Sequence, residues 1–193
     1  MKKILYFDTE TTGIDKKLND IIQFAAILDV DGVEVERCNI KMQPFSYENI
    51  EPKAIETHGI TIEEMKTFMT PQEGYKKITT MFKHHINKYE KTDKMYPAGY
   101  NVEFDIGFLS ELFAKNKDKY LGSFINWRKI DPLPVLYMLD CSGKLELENY
   151  KLATVCKFLG IEIDAHDAMS DILATKEVIK RVMSLCERGC KKN

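Results

Sequence analysis

The sequence predicts an α/β fold in which a mixed five-stranded sheet is flanked by helices. Three apolar-rich runs follow one another closely at the start of the chain, at residues 3–7, 21–28 and 33–42. Two later strands are predicted at residues 95–100 and 124–130, among segments with helical periodicity. An antiparallel three-strand meander followed by further, parallel strands that alternate with helices is typical of a mixed sheet with helices on its faces.

The first three strands are expected to form the meander. Residues 3–7 are an apolar-rich run, which is typical of a strand buried on both faces. Asp31 and Gly32 separate the second run from the third, and an Asp-Gly pair favours a two-residue hairpin turn. The third run carries Val33 and Ile40 among polar residues, so we expect the chain to return alongside the second strand.

Capping signals and apolar spacing predict the helices that follow. Thr61 and Thr70 each precede a Glu by three residues, as in a capping box, and Pro71 suits a first helical position. Helical spacing then links five residues, namely Tyr75, Ile78, Phe82, Ile86 and Tyr89. Four further helices are predicted, at residues 105–115, from Asp131-Pro132 onward, at 152–159 with Gly160 as its end, and at 172–186.

Length, composition and charge limit the classes of protein that fit. With 193 residues and 44% apolar side chains, the chain suits a single domain over residues 1–193, without repeats or linkers. Lys and Arg (28) nearly balance Asp and Glu (30), so the chain has no global positive field for nucleic acid. A polyanionic partner must therefore be held by local basic patches or by metal ions.

Targeting signals and cysteines favour a cytoplasmic location. The N-terminal apolar run stops at Asp8, which is too early for a signal peptide. No apolar stretch approaches the ~18 residues of a membrane span, so no membrane partner is expected. The five cysteines are odd in number and form no CxxC pair, which suits reduced thiols inside the cell.

An acidic motif ends the first predicted strand. Asp8 and Glu10 are two residues apart, so in an extended chain their carboxylates point to the same face. Carboxylate oxygens are the hard ligands that Mg²⁺ or Mn²⁺ prefers. Thr11, Thr12 and Gly13 follow, and these small residues leave the acids accessible to a ligand. A polar strand end with solvated acids is the alternative for this motif taken alone.

Two further acidic motifs open predicted helices. Asn101 and Asp105 join a short strand to an apolar-faced helix, and an acid near a helix start favours the dipole. His166 and Asp171 open the last long helix, where Asp171 can point at the sheet and His166 can curl over the same spot. In isolation, Asp105 could be a plain N-terminal cap, and His166 could be a surface histidine.

Taken together and in this order, the three motifs resemble those of the DEDDh 3′→5′ exonucleases. These are the DnaQ-like group of the ribonuclease H-like superfamily, and the chain is similar to the DNA polymerase III epsilon-type exonuclease domain. The resemblance runs from about residue 4 to residue 182 and includes the Thr-His-Gly-Ile motif at 57–60. One departure is Gln23, where an acid is common in the family.

The resemblance implies a ribonuclease H-like mixed sheet and two divalent ions, Mg²⁺ or Mn²⁺, at the 3′ end of a single-stranded nucleic acid. It implies that the metal ligands are Asp8, Glu10, Asp105 and Asp171. His166 is then the general base for the attacking water, and the product is a nucleoside 5′-monophosphate. The implied substrate-binding residues are Thr11, Thr12, Gly13, His58, Ile60, Asn101 and Phe104.

Some of these residues have plainer interpretations, and other functions stay open. Phe104 could belong to the core, and His58 could be a histidine in a surface turn. A docking or proofreading subunit of a DNA polymerase is one alternative, and an RNA-trimming exoribonuclease is another. A phosphatase with an aspartyl nucleophile is disfavoured, because Glu10 stands where such enzymes usually carry a second Asp.

The substrate preference and the assembly are not readable from these residues. Single-stranded DNA is favoured over RNA, although no contact to a 2′-hydroxyl can be identified. Only residues 188–193 follow the predicted fold, so we expect a stand-alone nuclease without a tethering tail. The oligomeric state, monomer or homodimer, stays open.

Overall fold

The computed structural model describes residues 1–163 and 168–189, with side chains as far as residue 184. His166 lies outside the described residues. In the described ranges, no helix combines the length and the apolarity needed to cross a membrane. The described cysteines, Cys38, Cys141 and Cys156, are free thiols.

A mixed sheet forms the centre of the structure, with the strand order β3-β2-β1-β4. Its strands are β1 (Lys3–Thr11), β2 (Ile21–Val30), β3 (Val33–Lys41) and β4 (Met95–Ala98). β1, β2 and β3 form the predicted antiparallel meander, and β4 pairs parallel to β1. Asp31 (φ 50°) and Gly32 (φ 86°) both have positive φ in the turn between β2 and β3, as a type I′ turn requires.

The predicted fifth strand at residues 124–130 is wrong as a continuous strand, because the described sheet has four strands. Only two isolated parallel bridges pair this segment with β4. Pro97 in β4 has no N–H, so the ladder loses a hydrogen bond at the middle of the segment. Between the bridges the Arg128 N–H donates to Asn126 Oδ1 at 2.9 Å, which makes a local turn instead of an extended chain.

Helices cover both faces of the sheet. Those within the described ranges are α1 (Pro52–His58), α2 (Ile62–Met65), α3 (Pro71–His85), α4 (Val102–Lys115), α5 (Leu133–Cys141), α6 (Leu152–Leu159) and α7 (Ala168–Gly189). The predicted capping boxes of Thr61 and Thr70 are both present, and Gly160 ends α6. Helix α1 was not predicted, although Pro52 at its first position is a known start signal.

Helix α3 ends earlier than the apolar spacing predicted. The Lys3 ammonium donates to the backbone carbonyl of His85 at 2.6 Å, which satisfies a carbonyl that the helix end leaves without an intrahelical partner. Ile86 is extended and only 4% exposed, so its side chain enters the core from outside the helix. Tyr89 is 85% exposed and does not continue the apolar stripe.

Strand β1 is covered on both faces, and its side chains alternate between two cores. Leu5 and Phe7 belong to the core formed with α3 and α4. Tyr6 belongs to a second core, formed with Ile172 and Ile179 of α7. Because alternate strand residues point to opposite faces, the end of β1 sends side chains toward both layers of helices.

Phe82 of α3 lies in an aromatic cluster of the first core. It is 0% exposed, and its ring centroid lies 6.4 Å from that of Phe24, 6.5 Å from Phe113 and 5.7 Å from Phe124. We expect Phe82→Leu to lower the free energy of unfolding by about 1–2 kcal/mol, because the smaller side chain leaves a cavity. Urea denaturation measures this, with the exposed Tyr89→Leu as a control within about 0.5 kcal/mol of wild type. Equal midpoints for Phe82→Leu and wild type would contradict the cluster's role.

Candidate active site

A cavity of about 220 Å³ lies at the C-terminal end of β1, and four carboxylates line it. The lining residues come from β1, α1, the segment before α4, α4 itself and α7. They are Asp8, Thr9, Glu10, Thr57, Tyr100, Asn101, Phe104, Asp105 and Asp171. The fold therefore brings acidic residues from three distant parts of the sequence to one point.

Asp8 and Glu10 reach this cavity through the alternation of β1, as the sequence predicted. Asp8 pairs in register with Ala25 of β2, and Glu10 pairs with Gln23. Side chains directly opposite each other in an antiparallel pair share a face, so Gln23 lies beside Glu10. The Gln23 amide donates to Asn39 Oδ1 at 2.9 Å. Gln23 therefore adds no further negative charge beside Glu10.

Asp105 is a buried carboxylate and not a helix cap. Helix α4 begins at Val102, earlier than predicted, which places Asp105 one turn inside the helix. The Val102 N–H donates to Asp131 Oδ2 at 3.1 Å, so Asp131 serves the N-terminus of α4. Asp105 is only 3% exposed, and it lines the cavity.

Thr9 holds Asp105 in place from β1. Its backbone N–H and its hydroxyl donate to Asp105 Oδ1 at 3.0 and 2.7 Å. Burial raises the pKa of Asp105 to about 7, the two Thr9 hydrogen bonds act against that rise, and the charge of Glu10 adds to it. Thr9 thus orients one oxygen of this carboxyl group and favours its ionised form.

The pKa of Asp8 is also raised well above its usual range. Burial is the first cause, and the charges of Asp105, Glu10 and Asp171 follow in that order. Carboxylates placed this close repel one another when ionised. A divalent cation bound by hard oxygen ligands would remove this repulsion, so the donor set fits Mg²⁺ or Mn²⁺.

A second cavity, of about 290 Å³, adjoins the first and shares Thr9, Glu10, Thr57 and Phe104 with it. Its other lining residues are Thr11, Gly13, Ile14, Glu51, Lys53, Ala54 and His58. The Phe104 ring lies 4.7 Å from that of Phe108, so it packs against the core and also lines both cavities. An apolar ring beside a cluster of acids suits a ligand with one flat and one charged part.

Gly13 allows the loop after β1 to pack closely against the start of α1. A Cβ at this position would lie 2.3 Å from Glu51 Oε1 and 2.6 Å from the Asn19 side chain. Glu51 Oε1 accepts a hydrogen bond from the Ile14 N–H at 3.2 Å. Glu51 would lose this hydrogen bond if it moved to make room for a Cβ at position 13. The Glu51 N–H also donates to the Thr12 carbonyl at 2.8 Å, which fastens this loop over the second cavity.

His58 presents a buried ring to the second cavity. Its Nδ1 accepts a hydrogen bond from the Ile60 N–H at 2.9 Å, so the neutral ring carries its proton on Nε2. Burial lowers the pKa of His58, and an interaction with the Thr11 backbone raises it by a smaller amount. His58 is 8% exposed and is therefore not a surface histidine. Within the described part of the chain, Nε2 is buried without a hydrogen-bond partner.

Thr12 and Ile60 lie outside the linings of the two cavities. Thr12 is 1% exposed, and its hydroxyl accepts the Asp20 N–H at 2.9 Å. Ile60 packs in a small apolar cluster with Ile22 and Met65. The side chain of Ile60 belongs to the core, and its backbone N–H orients the His58 ring.

Sequence reasoning missed Thr9, Thr57 and Tyr100 in the lining of the first cavity. The Tyr100 hydroxyl donates to the Tyr150 carbonyl at 2.6 Å, and burial is the main cause of its raised pKa. Their positions in the sequence could have identified two of them as lining residues. Thr9 lies between two predicted ligands, and Tyr100 directly precedes Asn101. Asn101 itself adopts a left-handed conformation, with φ 60°, as the N-cap of α4.

Curated relatives of the chain are nucleases and polymerases. The DNA polymerase III PolC-type protein of Halalkalibacterium halodurans is 30% identical over 184 residues, covering 94% of this chain and 11% of that protein. Ribonuclease T of Vibrio parahaemolyticus is 24% identical over 181 residues, covering 89% of this chain and 80% of that protein. The chain thus spans about a tenth of the PolC-type relative.

Similar solved structures include the zinc-bound complex of E. coli exonuclease I with single-stranded DNA. The TM-score is 0.81 at 25% identity, covering 97% of this chain and 42% of that one. The complex of the same exonuclease with a dA16 oligonucleotide gives a TM-score of 0.73 at 25% identity, covering 97% and 43%. A family model described as Exonuclease, of the ribonuclease T type, matches residues 5–179. Because that match covers most of the chain, including all four carboxylates of the first cavity, the chain belongs to this exonuclease family, the DEDDh or DnaQ-like group with a ribonuclease H-like fold.

Proposed function

We propose that this chain is a metal-dependent 3′→5′ exonuclease that releases nucleoside 5′-monophosphates from single-stranded DNA. The observation that carries the proposal is the convergence of Asp8, Glu10, Asp105 and Asp171 on one cavity. The raised pKa values of Asp8 and Asp105 support it, because perturbed carboxyl groups in a cleft are typical of functional sites. Membership of the exonuclease family supports the reaction class.

The four carboxylates are proposed to hold two Mg²⁺ or Mn²⁺ ions. Two such ions, when bound, stabilise charge on the attacking and leaving oxygens of a phosphodiester and acidify a bound water. The protein's own part is to present oxygens in a fixed arrangement, and Thr9 does this for Asp105 through its two hydrogen bonds. His166 is proposed as the general base that takes the proton of the attacking water. It precedes α7, the helix that supplies Asp171.

Thr9 provides a test of this positioning. We expect Thr9→Val to weaken Mn²⁺ binding about 10-fold at pH 7, since it removes a hydrogen bond to a charged group and raises the pKa of Asp105 further. A titration of the melting temperature with Mn²⁺ measures the change. Thr9→Ser keeps the hydroxyl and serves as the matched control. Equal Mn²⁺ dependence in the Val and Ser variants would contradict this role of the hydroxyl.

The second cavity is proposed to receive the terminal nucleoside. Phe104 offers a ring on which a base can stack, and such stacking contributes about 1–3 kcal/mol per base. His58 offers a buried N–H donor. Thr11, the last residue of β1, and Gly13, in the loop that follows it, both line this cavity. Thr12 is proposed to act on the substrate only through this loop. Ile60 is proposed to act only through the His58 ring, which its N–H orients.

Phe104→Leu tests the stacking. We expect it to raise KM for a single-stranded oligonucleotide about 10-fold with a smaller effect on kcat, because the base loses an aromatic partner while the carboxylates stay in place. Steady-state kinetics on one oligonucleotide measures both constants. Phe108→Leu is the matched control, because Phe108 is 2% exposed in the core and lies outside both cavity linings. Equal KM changes in the two variants would show a packing effect and not stacking.

The choice of DNA over RNA rests on comparison and not on a sugar contact. The exonuclease I structures contain single-stranded DNA, whereas ribonuclease T, of which the chain covers 80%, favours an RNA-trimming role as the second candidate. One oligonucleotide sequence, made as DNA and as RNA and labelled at its 5′ end, tests both with Mg²⁺, Mn²⁺ or EDTA. Metal-dependent shortening from the 3′ end supports the proposal, and the faster polymer names the substrate. Absence of shortening with either polymer would overturn the stand-alone activity.

The PolC-type relatives favour a further candidate, a proofreading unit that works beside a polymerase. Addition of a DNA polymerase of the PolC type to the shortening assay distinguishes the two. A proofreading unit is expected to be stimulated by it, whereas a stand-alone nuclease is not.

We further propose a single domain over residues 1–193 in a reducing, intracellular location, which the free thiols support. Light scattering would determine whether the chain is a monomer or a homodimer.

A further inference from the structure

Three metal-ligating side chains meet at a second place, where the end of α3 lies against the edge strand β3. They are Glu36 of β3 with His84 and His85 of α3, named here the His–Glu cluster. Glu36 Oε2 lies 2.5 Å from His85 Nε2 and 3.7 Å from His84 Nδ1. The three ligand atoms all lie within 4.8 Å of one another.

The cluster is held by contacts of the fold. Glu36 is fixed by the pairing of β3 with β2, opposite Leu28. The last turn of α3 is held by Lys3, which donates to the His85 carbonyl and forms an ion pair with Asp93. The His85 side chain is 17% exposed, Glu36 is 32% exposed and His84 is 76% exposed, so a metal ion can reach the site from solvent.

We propose that the His–Glu cluster binds a zinc-class transition metal ion. Two imidazole nitrogens and one carboxylate are a donor set typical of zinc, with a fourth position left for water. Tetrahedral bonds of about 2.0–2.1 Å place ligand atoms about 3.3 Å apart. The three ligand atoms already lie within 4.8 Å of one another, so closing the site requires them to shift by about 1–2 Å.

The cluster differs in chemistry from the four carboxylates at the end of β1. Those carboxylates offer only hard oxygen ligands, whereas imidazole favours zinc over Mg²⁺ or Mn²⁺. A metal in the cluster would join residues that lie 49 positions apart in sequence and would fasten the end of α3 to the exposed edge of the sheet. We therefore expect bound zinc to stabilise the folded chain independently of catalysis.

Calorimetric titration with Zn²⁺ tests the proposal, using Asp8→Asn as the background to weaken binding at the carboxylates. We expect one equivalent bound by this background, with affinity at least ~10-fold lower after His84→Ala or Glu36→Gln. His84 is exposed enough to be truncated without unfolding the chain, and circular dichroism confirms the fold of each variant. Lys83→Ala, an exposed neighbour on α3 that is not a ligand, is the matched control.

Retention of Zn²⁺ affinity in Lys83→Ala together with its loss in His84→Ala would support the site. A melting temperature raised by Zn²⁺ in the background but not in His84→Ala would support the fastening role. Equal affinity in His84→Ala and in the background would overturn the proposal, as would no Zn²⁺ binding by the folded background. Neither outcome depends on nuclease activity, so the proposal stands or fails apart from the proposed function.

Discussion

Asp8→Asn is expected to lower the rate of 3′-end cleavage by at least about 10³-fold while making the metal-free protein more stable. The loss corresponds to about 4 kcal/mol of transition-state stabilisation, a size that fits the removal of one of the four proposed metal ligands. The gain in stability follows from burial and from the charges of Asp105, Glu10 and Asp171, which all disfavour an ionised Asp8. An amide of the same shape cannot ionise, so residue 8 no longer carries this cost.

Single-turnover cleavage of a labelled oligonucleotide measures the first effect, and thermal unfolding in EDTA at pH 7.5 measures the second. Glu103→Gln is the matched control, because Glu103 is exposed on the same helix turn as Asp105 and does not line the cavity. We expect this control to keep wild-type activity and a melting temperature close to wild type. Loss of both activity and stability in Asp8→Asn would indicate a misfolded site, and retention of activity would remove Asp8 from the proposed ligands.

Asp105 is expected to make the metal-free protein less stable as the pH rises from about 4 to about 7. In the unfolded chain an Asp releases its proton near its ordinary pKa of 3.8, whereas folded Asp105 holds its proton until about pH 7. Within this window the folded state binds more protons than the unfolded state, so the free energy of unfolding falls with rising pH. A shift of this size corresponds to a cost on the order of 4 kcal/mol above pH 7.

Urea denaturation of wild type and of Asp105→Asn, from pH 5 to pH 8 in EDTA, isolates this contribution. The Asn oxygen can still accept both Thr9 hydrogen bonds, so the variant removes the charge and keeps the contacts. We expect the variant to gain stability relative to wild type as the pH rises, and Mn²⁺ to cancel that gain by stabilising the ionised wild-type site. Parallel stability curves over this range would contradict the raised pKa.

Both predictions describe a site whose function opposes the stability of the metal-free chain. The fold places like charges together at the end of β1, and the surrounding cores hold them there. Phe82→Leu probes one of those cores, so its cost should be similar with and without a divalent ion. The carboxylate variants should instead respond strongly to the ion, which separates scaffold from site in the same measurement.

Several local features follow from the sequence alone, because the groups that form them lie within a few residues of each other. The capping boxes of Thr61 and Thr70 each join residues three apart, and both are present. The turn at Asp31 and Gly32 needs only two residues that tolerate positive φ. The common face of Asp8 and Glu10 follows from the period of a strand.

Other features depend on contacts between distant segments, and local patterns do not carry them. The start of α4 is served by Asp131, 29 residues after Val102, and this contact leaves Asp105 buried inside the helix. The predicted fifth strand is interrupted because Pro97, on the neighbouring strand, cannot donate to it.

The sequence by itself therefore determined the antiparallel meander, most of the helices, the family and the acids that line the cavity. Only the tertiary structure decided the burial of Asp105, the burial and charge repulsion that raise the pKa of Asp8, and the meeting of Glu36 with His84 and His85. These properties depend on how closely β1, α4 and α7, or β3 and α3, approach one another. That distance is set by the packing of both faces of the sheet, and no short segment of sequence contains it.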